Sequence, residues 1–429
     1  MQIFRYPKNE DLRELLKRPP ADAGGIDGTV RNIIADVKLR GDEALREYSV
    51  RFDGVTIEKF RASKDEIAEA ETRVSDKLKD AIKIAKANIE KFHTAQREEI
   101  KKIETMPGVT CWRKSVAIEK VGLYAPAGTA PLISTVLMLG IPATLAGCTE
   151  IILCSPSNKN GKIADAILYA AKVCGITDIF KVGGAQAIAA LAYGTEEIPR
   201  VDKIFGPGNQ YVTLAKQIVS TVGVAIDMPA GPSEVAVVAD ETCVPAFVAA
   251  DLLSQAEHGI DSQVILVSTS EVVIDEALAE IERQIQLLPR KDIARASLEN
   301  SKAILVGTIG EAIAIANRYA AEHLILAVQD AEIAAEKIAN AGSVFIGNYS
   351  CESAGDYASG TNHTLPTNGY ARSYSGVSLD SFIKKITFQN LTEQGIKNIG
   401  PAIECLAEAE GLQAHRNAVT LRLEAINGI

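Results

Sequence analysis

Short apolar runs that close on glycine or a polar turn and lead into helical stretches recur along this chain, and no other feature limits its folding so strongly. Glu150-IILCS-Pro156 reads as a strand, and Lys162 to Cys174 as an amphipathic helix. Asp178-IFKVGG-Ala185 is a second strand ending in glycines, followed by the Ala-rich helix Gln186 to Ala192. Lys203-IFGPGN-Gln210 repeats the theme ahead of a helix over Tyr211 to Val222. Val224 to Met228 and Glu234 to Ala239 are further strands around the loop Ala230-Gly-Pro-Ser233. Ser262 to Ser268, Ala303 to Gly307, Leu324 to Val328 and Ser343 to Gly347 supply a second set, again with helices between them. Parallel neighbours need a crossover element, so strands that alternate with helices imply doubly wound parallel sheets.

The expected class is therefore α/β: two doubly wound, Rossmann-like α/β domains with a short N-terminal helical arm and a small helical C-terminal module. The arm covers 1–20 and ends at Pro19-Pro20. Residues 21–120 plus 228–377 form a first, discontinuous α/β domain, 121–227 a second, and 378–429 the C-terminal module. Helices are expected over Gly28 to Phe52 and Ala62 to Arg97, the latter with Val74, Leu78, Ile82, Ala85, Ile89 and Phe92 on one apolar stripe. His93, beside that stripe, reads as a surface histidine without a role. Val109 to Tyr124 looks extended. Glu352 to Arg372 is a long Gly/Ser/Asn/Pro-rich loop, and loops of that length inside compact domains are usually functional. In the C-terminal module, an extended piece around Phe388 precedes helices over Ile399 to Glu408 and Leu412 to Ile426.

Composition excludes several classes. The formal charge of −10 leaves no basic footprint for nucleic acid. An anionic cofactor would have to be held by backbone amides and helix ends. The seven cysteines occur singly with no CxxC pair, which argues against a disulfide framework and a thiolate zinc knot. Cys111 and Cys148 read as inert structural thiols. A reducing, cytoplasmic setting fits, and the charged N-terminus lacks the apolar core of a signal peptide. From Val121 to Thr149 no residue is charged, a length that could span a bilayer. Pro126, Pro131, Pro142 and the interspersed glycines would leave backbone groups unsatisfied in lipid, so the stretch reads as buried core and loop, with no membrane partner.

The chemistry gathers around histidine. DLLSQAEHGID, Asp251 to Asp261, follows a helical apolar run, so Gln255 and His258 share a helical face. An amide oxygen and an imidazole can hold half of a divalent-metal site, although a glycine stop with solvated polar residues is an equally ordinary reading of a helix end. Four of the five histidines, His258, His323, His363 and His415, lie beyond residue 257 in polar settings. Each has a carboxylate within seven residues, and carboxylates beside imidazoles orient rings, complete metal shells or tune proton transfer. Gly183-Gly184-Ala-Gln186 and Gly206-Pro-Gly208-Asn209 follow strands and open helices, where backbone amides can meet phosphate. Neither is a GxGxxG, and plain strand-to-helix turns remain open.

GGAQAIAALAYGTEEIPRVDKIFGPGN, DMPAGPSEVAVVAD, DLLSQAEHGIDSQ, AAEHL, GDYASGTNHTLPTNGYAR and EGLQAHRNAVTLR, in this order, resemble the motifs of the histidinol dehydrogenase family from about Val121 to Arg422. The resemblance implies one zinc ion per subunit, held by Gln255, His258, Asp356 and His415. It makes Glu322 and His323 the catalytic pair. Substrate contacts would be Ser233, His363 and Glu410 with Gln255, His258, His323, Asp356 and His415. NAD would meet Tyr124, Gln186 and Asn209. After Tyr124 the family more usually has two glycines, where this chain has Ala127 and Gly128. The implied reaction is the four-electron oxidation of L-histidinol to L-histidine through a bound aldehyde, closing histidine biosynthesis. The implied assembly is a homodimer whose C-terminal module completes the partner's site. Rival readings are a same-fold zinc and NAD dehydrogenase of another small alcohol, a non-catalytic zinc-binding relative, and a zinc hydrolase. The first would not need His363, Glu410 and His415 together, the second would lack Glu322 or His323, and the third would not need two nucleotide loops.

Overall fold

The computed structural model describes residues 1–19, 23–127 and 131–428. In chain order its strands are β1 (Gln2–Arg5), β2 (Lys102–Met106), β3 (Val109–Ala117), β4 (Lys120–Tyr124) and β5 (Glu150–Ser155). β6 (Asp178–Lys181), β7 (Lys203–Phe205), β8 (Ala225–Ile226), β9 (Glu234–Ala239) and β10 (Gln263–Ser268) follow. β11 (Lys302–Leu305), β12 (His323–Ala327), β13 (Ser343–Ile346) and β14 (Ile383–Leu391) complete the set. Two compact units result, Met1–Ala95 with Ile118–Phe382, and Gln96–Ala117 with Ile383–Ile429.

The first unit contains two parallel sheets. One has the order β6-β5-β4-β7-β8, the other β1-β11-β10-β9-β12-β13. In both, the chain winds outward from a founding strand, β4 or β9, and then restarts on that strand's other side. This is the doubly wound pattern, with a switch point between β4 and β7 and another between β9 and β12. β9 shows why the apolar runs become central strands. Val235, Val237 and Ala239 enter one core cluster, while Ala236 and Val238 enter the cluster on the opposite face. Alternate side chains leave a strand in opposite directions, so an uninterrupted apolar run is stable only when both faces are covered. Each fully buried valine of this kind contributes about 1.5–3 kcal/mol.

Several expectations need correction. The N-terminal arm opens with β1, which pairs with β11 from Gln2↔Lys302 to Arg5↔Leu305, ahead of the short helix Leu12–Leu15. An edge position needs hydrogen-bonding partners on one side alone, and such a partner is invisible in a short N-terminal stretch. One compact unit holds residues 23–95 and 228–377 together with 121–227, and within it 23–95 packs on the smaller sheet. Val30, Ile33, Ile34 and Val37 of the helix Ala23–Arg40 pack with Ile188, Leu191 and Ile204 of the smaller sheet's layer. Ile82, Ala85 and Ile89 pack with Leu123, Val136 and Leu139 in that sheet's other core. The expected long helix over Ala62 to Arg97 is two, Lys64–Arg73 and Asp76–Thr94, because Ser75 starts the second by accepting a hydrogen bond from the Leu78 amide at 3.3 Å. The loop expected over Glu352 to Arg372 contains the helix Glu352–Tyr357 and a short 3-10 turn, Tyr370–Arg372.

The second unit takes residues 96–117 away from the first α/β domain. β3 pairs antiparallel with β14 from Val109↔Leu391 to Ala117↔Ile383, a contact between segments far apart in sequence, and Trp112 stacks on its cross-strand partner Phe388 at 5.4 Å. The hairpin from β2 to β3 turns at Gly108, where φ is +81° and a side chain would overlap the backbone of Gly395. Helices Glu393–Ala409 and Gln413–Asn427 complete this unit.

The charge-free stretch 121–149 divides into β4 and the helix Ile133–Ala146, whose central residues are buried. No helix of the described residues is long and apolar enough to cross a membrane. His93 is not a surface residue. It is fully buried, its Nδ1 lies 3.0 Å from the Ile89 carbonyl, and its Nε2 has no partner. Burial lowers its pKa, so the folded state holds it neutral while the unfolded chain protonates near its ordinary value of about 6.5. The unfolded state therefore binds more protons below that value, and stability falls as pH drops through it. Replacing His93→Phe should shrink the loss of urea midpoint between about pH 7.5 and pH 5.5; an unchanged loss would remove His93 from the acid response.

Candidate active site

Strand order places two loop clusters in the first unit. β4 and β7 are neighbours at the switch point of the smaller sheet, and their carboxyl ends carry Tyr124 and the Gly206–Asn209 turn. Ligands of doubly wound sheets sit in such crevices. The Tyr124 hydroxyl accepts a hydrogen bond at 3.1 Å from the Gly184 amide, which opens the helix Gly184–Tyr193. Gln186 is buried in that helix, while Asn209 is exposed and caps the helix Gln210–Ser220 through its Oδ1, 3.1 Å from the Tyr211 and Val212 amides. The three residues expected at a nucleotide thus border one sheet end. Gly128 of the unusual loop lies outside the described residues, while Ala127 lies within them.

The second cluster lies at the opposite kind of edge, the amino ends of β9 and β12. Ser233 precedes β9, and Glu322 precedes β12, whose first residue is His323. The helix Pro245–Ala256 returns from β9 toward the start of β10, and so brings Gln255 and the following turn with His258 back to that edge. Glu322 caps no helix. The preceding helix ends at Tyr319, and Ala320 closes it in the left-handed region at φ +55°. This frees Glu322, whose Oε2 accepts the backbone N–H of Glu234 at 3.0 Å. Glu234 is itself held by an ion pair with Arg18 and by the Asn368 amide at 2.9 Å. Ser233 leads directly into β9.

Around His323 the structure gathers Gln255, His258, Asp356 and a residue that sequence reasoning missed, Glu352. His323 Nε2 stands 3.3 Å from Asp356 Oδ1, and its Nδ1 stands 3.8 Å from Glu322 Oε2. With its amide turned so that both ends are satisfied, Gln255 donates to Glu352 Oε1 at 2.8 Å and to His323 Nδ1 at 3.1 Å. Glu352 and Asp356 are one turn apart on the helix Glu352–Tyr357. The four-residue spacing of these two carboxylates is the one sequence signal for Glu352, and it has meaning only because the segment is helical. His363 reaches Ser134 of the helix Ile133–Ala146, Nε2 to Oγ 3.1 Å, and Asn362 donates to the Met138 carbonyl at 2.6 Å. The 362–363 segment thereby ties the two sheets' loop systems together.

The electrostatics follow from burial among carboxylates. Desolvation raises the Glu322 pKa to about 7, against the pull of His323. Desolvation also opposes charge on His323, but Glu352, Glu322 and Asp356 outweigh it and push its pKa up to about 10. Burial pushes Glu352 well above the carboxylate range, whereas Asp356 is lowered because His323, His363 and His258 overcome its desolvation. Burial lowers His258 and His363, although His258 keeps an exposed edge that tempers the effect. Burial raises the Cys148 pKa to about 11, which disfavours the thiolate a nucleophile needs.

The donor set suits a divalent cation. His258, Glu352 and Asp356 offer ligand atoms that lie within 4.8 Å of one another. Asp356 Oδ1 and His323 Nε2 are buried facing each other as an ion pair without hydrogen-bond geometry and have no other partner, a cost that a bound cation at the carboxylate would relieve. Nitrogen and carboxylate donors without thiolate match zinc. Glu410 and His415 belong to the second unit, where both are exposed.

The chain is similar to known proteins over nearly its whole length. Residues 16–423 match the family model described as histidinol dehydrogenase. A histidinol dehydrogenase of Bacteroides thetaiotaomicron is 60% identical over 426 residues, covering 99% of this chain and 100% of that protein. One from Escherichia coli K12 is 52% identical over 420 residues, covering 97% and 96%. The crystal structure of histidinol dehydrogenase from Elizabethkingia anophelis superposes with a TM-score of 0.98 at 57% identity, covering 100% of this chain and 99% of that one. Similarity of sequence and of backbone over the whole length leaves one conclusion, that this chain belongs to the histidinol dehydrogenase family.

Proposed function

We propose that this chain oxidises L-histidinol to L-histidine by removing two hydrides from one carbon, with one water added between them. The observation that carries the reading is the buried pair Glu322 and His323 at the start of β12, facing Gln255, His258 and Asp356. Gln255, His258 and Asp356, with His415, are the residues that would hold zinc, and Tyr124, Gln186 and Asn209 those that would contact NAD. When bound, zinc fixes the substrate's nitrogen atoms and NAD takes up the hydrides.

The chain's own groups account for the proton transfers. His323 takes the alcohol proton, so that the carbon can release its hydrogen with the electron pair. The carboxylates that raise its pKa are those a cation would offset, returning the imidazole toward the neutral form a base requires. Glu322, with a pKa of about 7, accepts a proton from the water that hydrates the aldehyde. Its Oε2 is aimed by the Glu234 amide, and His323 by Asp356 and Gln255. Ser233, His363 and Glu410 would line the substrate, and the burial of Glu322 and His323 keeps bulk water from the reacting carbon.

We further assign a cytoplasmic homodimer in which Glu410 and His415 of one chain complete the partner's site. Both are exposed on the second unit, as residues offered to another surface would be. Mixing Glu322→Gln chains with His415→Asn chains should restore activity through one intact site per mixed dimer. Activity no greater than that of either variant alone would place His415 in its own chain's site.

Purified zinc-loaded protein should form two NADH per L-histidinol, lose this on chelation and regain it with zinc. A folded, zinc-bound dimer that forms no NADH would overturn the substrate assignment. Glu322→Gln should lower kcat by about 10²–10⁴ while leaving substrate binding close to normal, because it removes a base and not a ligand. Calorimetric binding of histidinol to this variant separates the two roles, and lost binding would make Glu322 a ligand instead.

A further inference from the structure

Lys216 and Asp227 form an ion pair with side chains only 5% and 1% exposed, the most enclosed pair of opposite charges among the described residues outside the catalytic cluster. Its desolvation would be hard to recover from mutual attraction alone, since buried pairs of this kind frequently add nothing to stability over apolar residues. What the pair does besides is hold one glycine from both sides. Asp227 Oδ2 accepts the Gly206 N–H at 2.8 Å, and Lys216 Nζ donates to the Gly206 carbonyl at 2.8 Å. Asp227 Oδ1 also accepts the Met228 amide at 2.8 Å, so the carboxylate is itself fixed at the end of β8.

Gly206 is the residue on which the crevice turns. Its φ of +133° is accessible to glycine, and a Cβ there would overlap the Tyr124 carbonyl oxygen. The turn 206–209 thus lies directly against the end of β4, and it launches the helix Gln210–Ser220, which in turn carries Lys216. Tyr124 continues the chain of contacts through its hydroxyl to the Gly184 amide, ahead of Gln186. Asn209 therefore sits beside Tyr124 and Gln186 only while the turn at Gly206 stays against the end of β4, and the buried ions hold that turn.

We infer that Lys216 and Asp227 are positioning residues for the dinucleotide, acting through Gly206 to keep the 206–209 turn in register with Tyr124 and the Gly184 helix start. This rests on the reading that the nucleotide contacts Tyr124, Gln186 and Asn209. Both side chains spend their polar atoms on each other and on the backbone of Gly206 and Met228. The pair supplies rigidity at one of the two turns whose backbone amides can meet an anionic ligand in a chain of net charge −10.

The test is steady-state kinetics of the zinc-loaded dimer with Asp227→Asn and with the paired neutral variant Lys216→Met/Asp227→Asn, backed by calorimetric titration with NADH. The double variant removes both charges, so it stays informative if the single one leaves Lys216 uncompensated and unfolds. In the folded variant the KM for NAD and the Kd for NADH should each rise about tenfold or more. kcat at saturating NAD, the KM for histidinol and the zinc content should stay within about threefold of the unmodified protein. An unchanged KM for NAD, or a joint collapse of kcat and both KM values, overturns the inference. Gln186→Ala and Tyr124→Phe tell the two failures apart. If these leave the KM for NAD unchanged, the nucleotide lies elsewhere; if they raise it while the ion-pair variants do not, only the positioning role falls.

Discussion

The register between β9 and β12 is the constraint on which the site depends. His323 lies opposite Val235, so Glu322 falls beside the start of β9, where the Glu234 amide can meet its carboxylate. That register is set by burial. Val235 and Val237 face one core and Ala236 and Val238 the other, and a slip by one residue would exchange the faces and misplace every side chain. Glu322 and His323 are thus aimed by ordinary packing one residue away from them.

Charge is the second organising force. The pocket buries Glu322, His323 and Glu352 almost completely, with Asp356 and His258 alongside. Carboxylates concentrated in this way repel one another, and they raise each other's affinity for protons or for a cation. Arg18 answers part of that charge through Glu234, and it also lies 4.2 Å over the Tyr319 ring at the end of the helix preceding Glu322. The remainder, lodged on Asp356 and its neighbours, is what gives the cluster the character of a metal site.

The two sheets divide the labour by opposite use of one topology. The smaller sheet offers the carboxyl ends of its switch point, where glycine turns expose backbone amides. The larger sheet uses the amino edge of its switch point, because the helix Pro245–Ala256 ends there and delivers Gln255 and His258. The contact of His363 with Ser134 joins the two systems, so that a carbon held by one could face a ring held by the other.

Much of this was legible in the order of residues. Apolar runs such as Glu234–Ala239 and Gln263–Ser268 can be stable only as strands covered on both faces, and their alternation with helices requires parallel sheets. The family motifs, being local and in order, pointed to Glu322, His323, Gln255, His258 and Asp356 before any contact was known. What could not be read there depends on distant partners. β1 becomes a strand because β11 offers an edge, and β3 leaves its neighbours in sequence because β14 pairs with it over nine residues. His93 is buried by packing that its polar surroundings in sequence do not foretell. Glu352 looked like loop, and only the helix Glu352–Tyr357 turns it toward Gln255. Local sequence determined which elements form and which chemistry they carry, because propensity and periodicity act over a few residues. Tertiary structure decided what each buried charge and unpaired edge would meet, because those energies depend on groups hundreds of residues away.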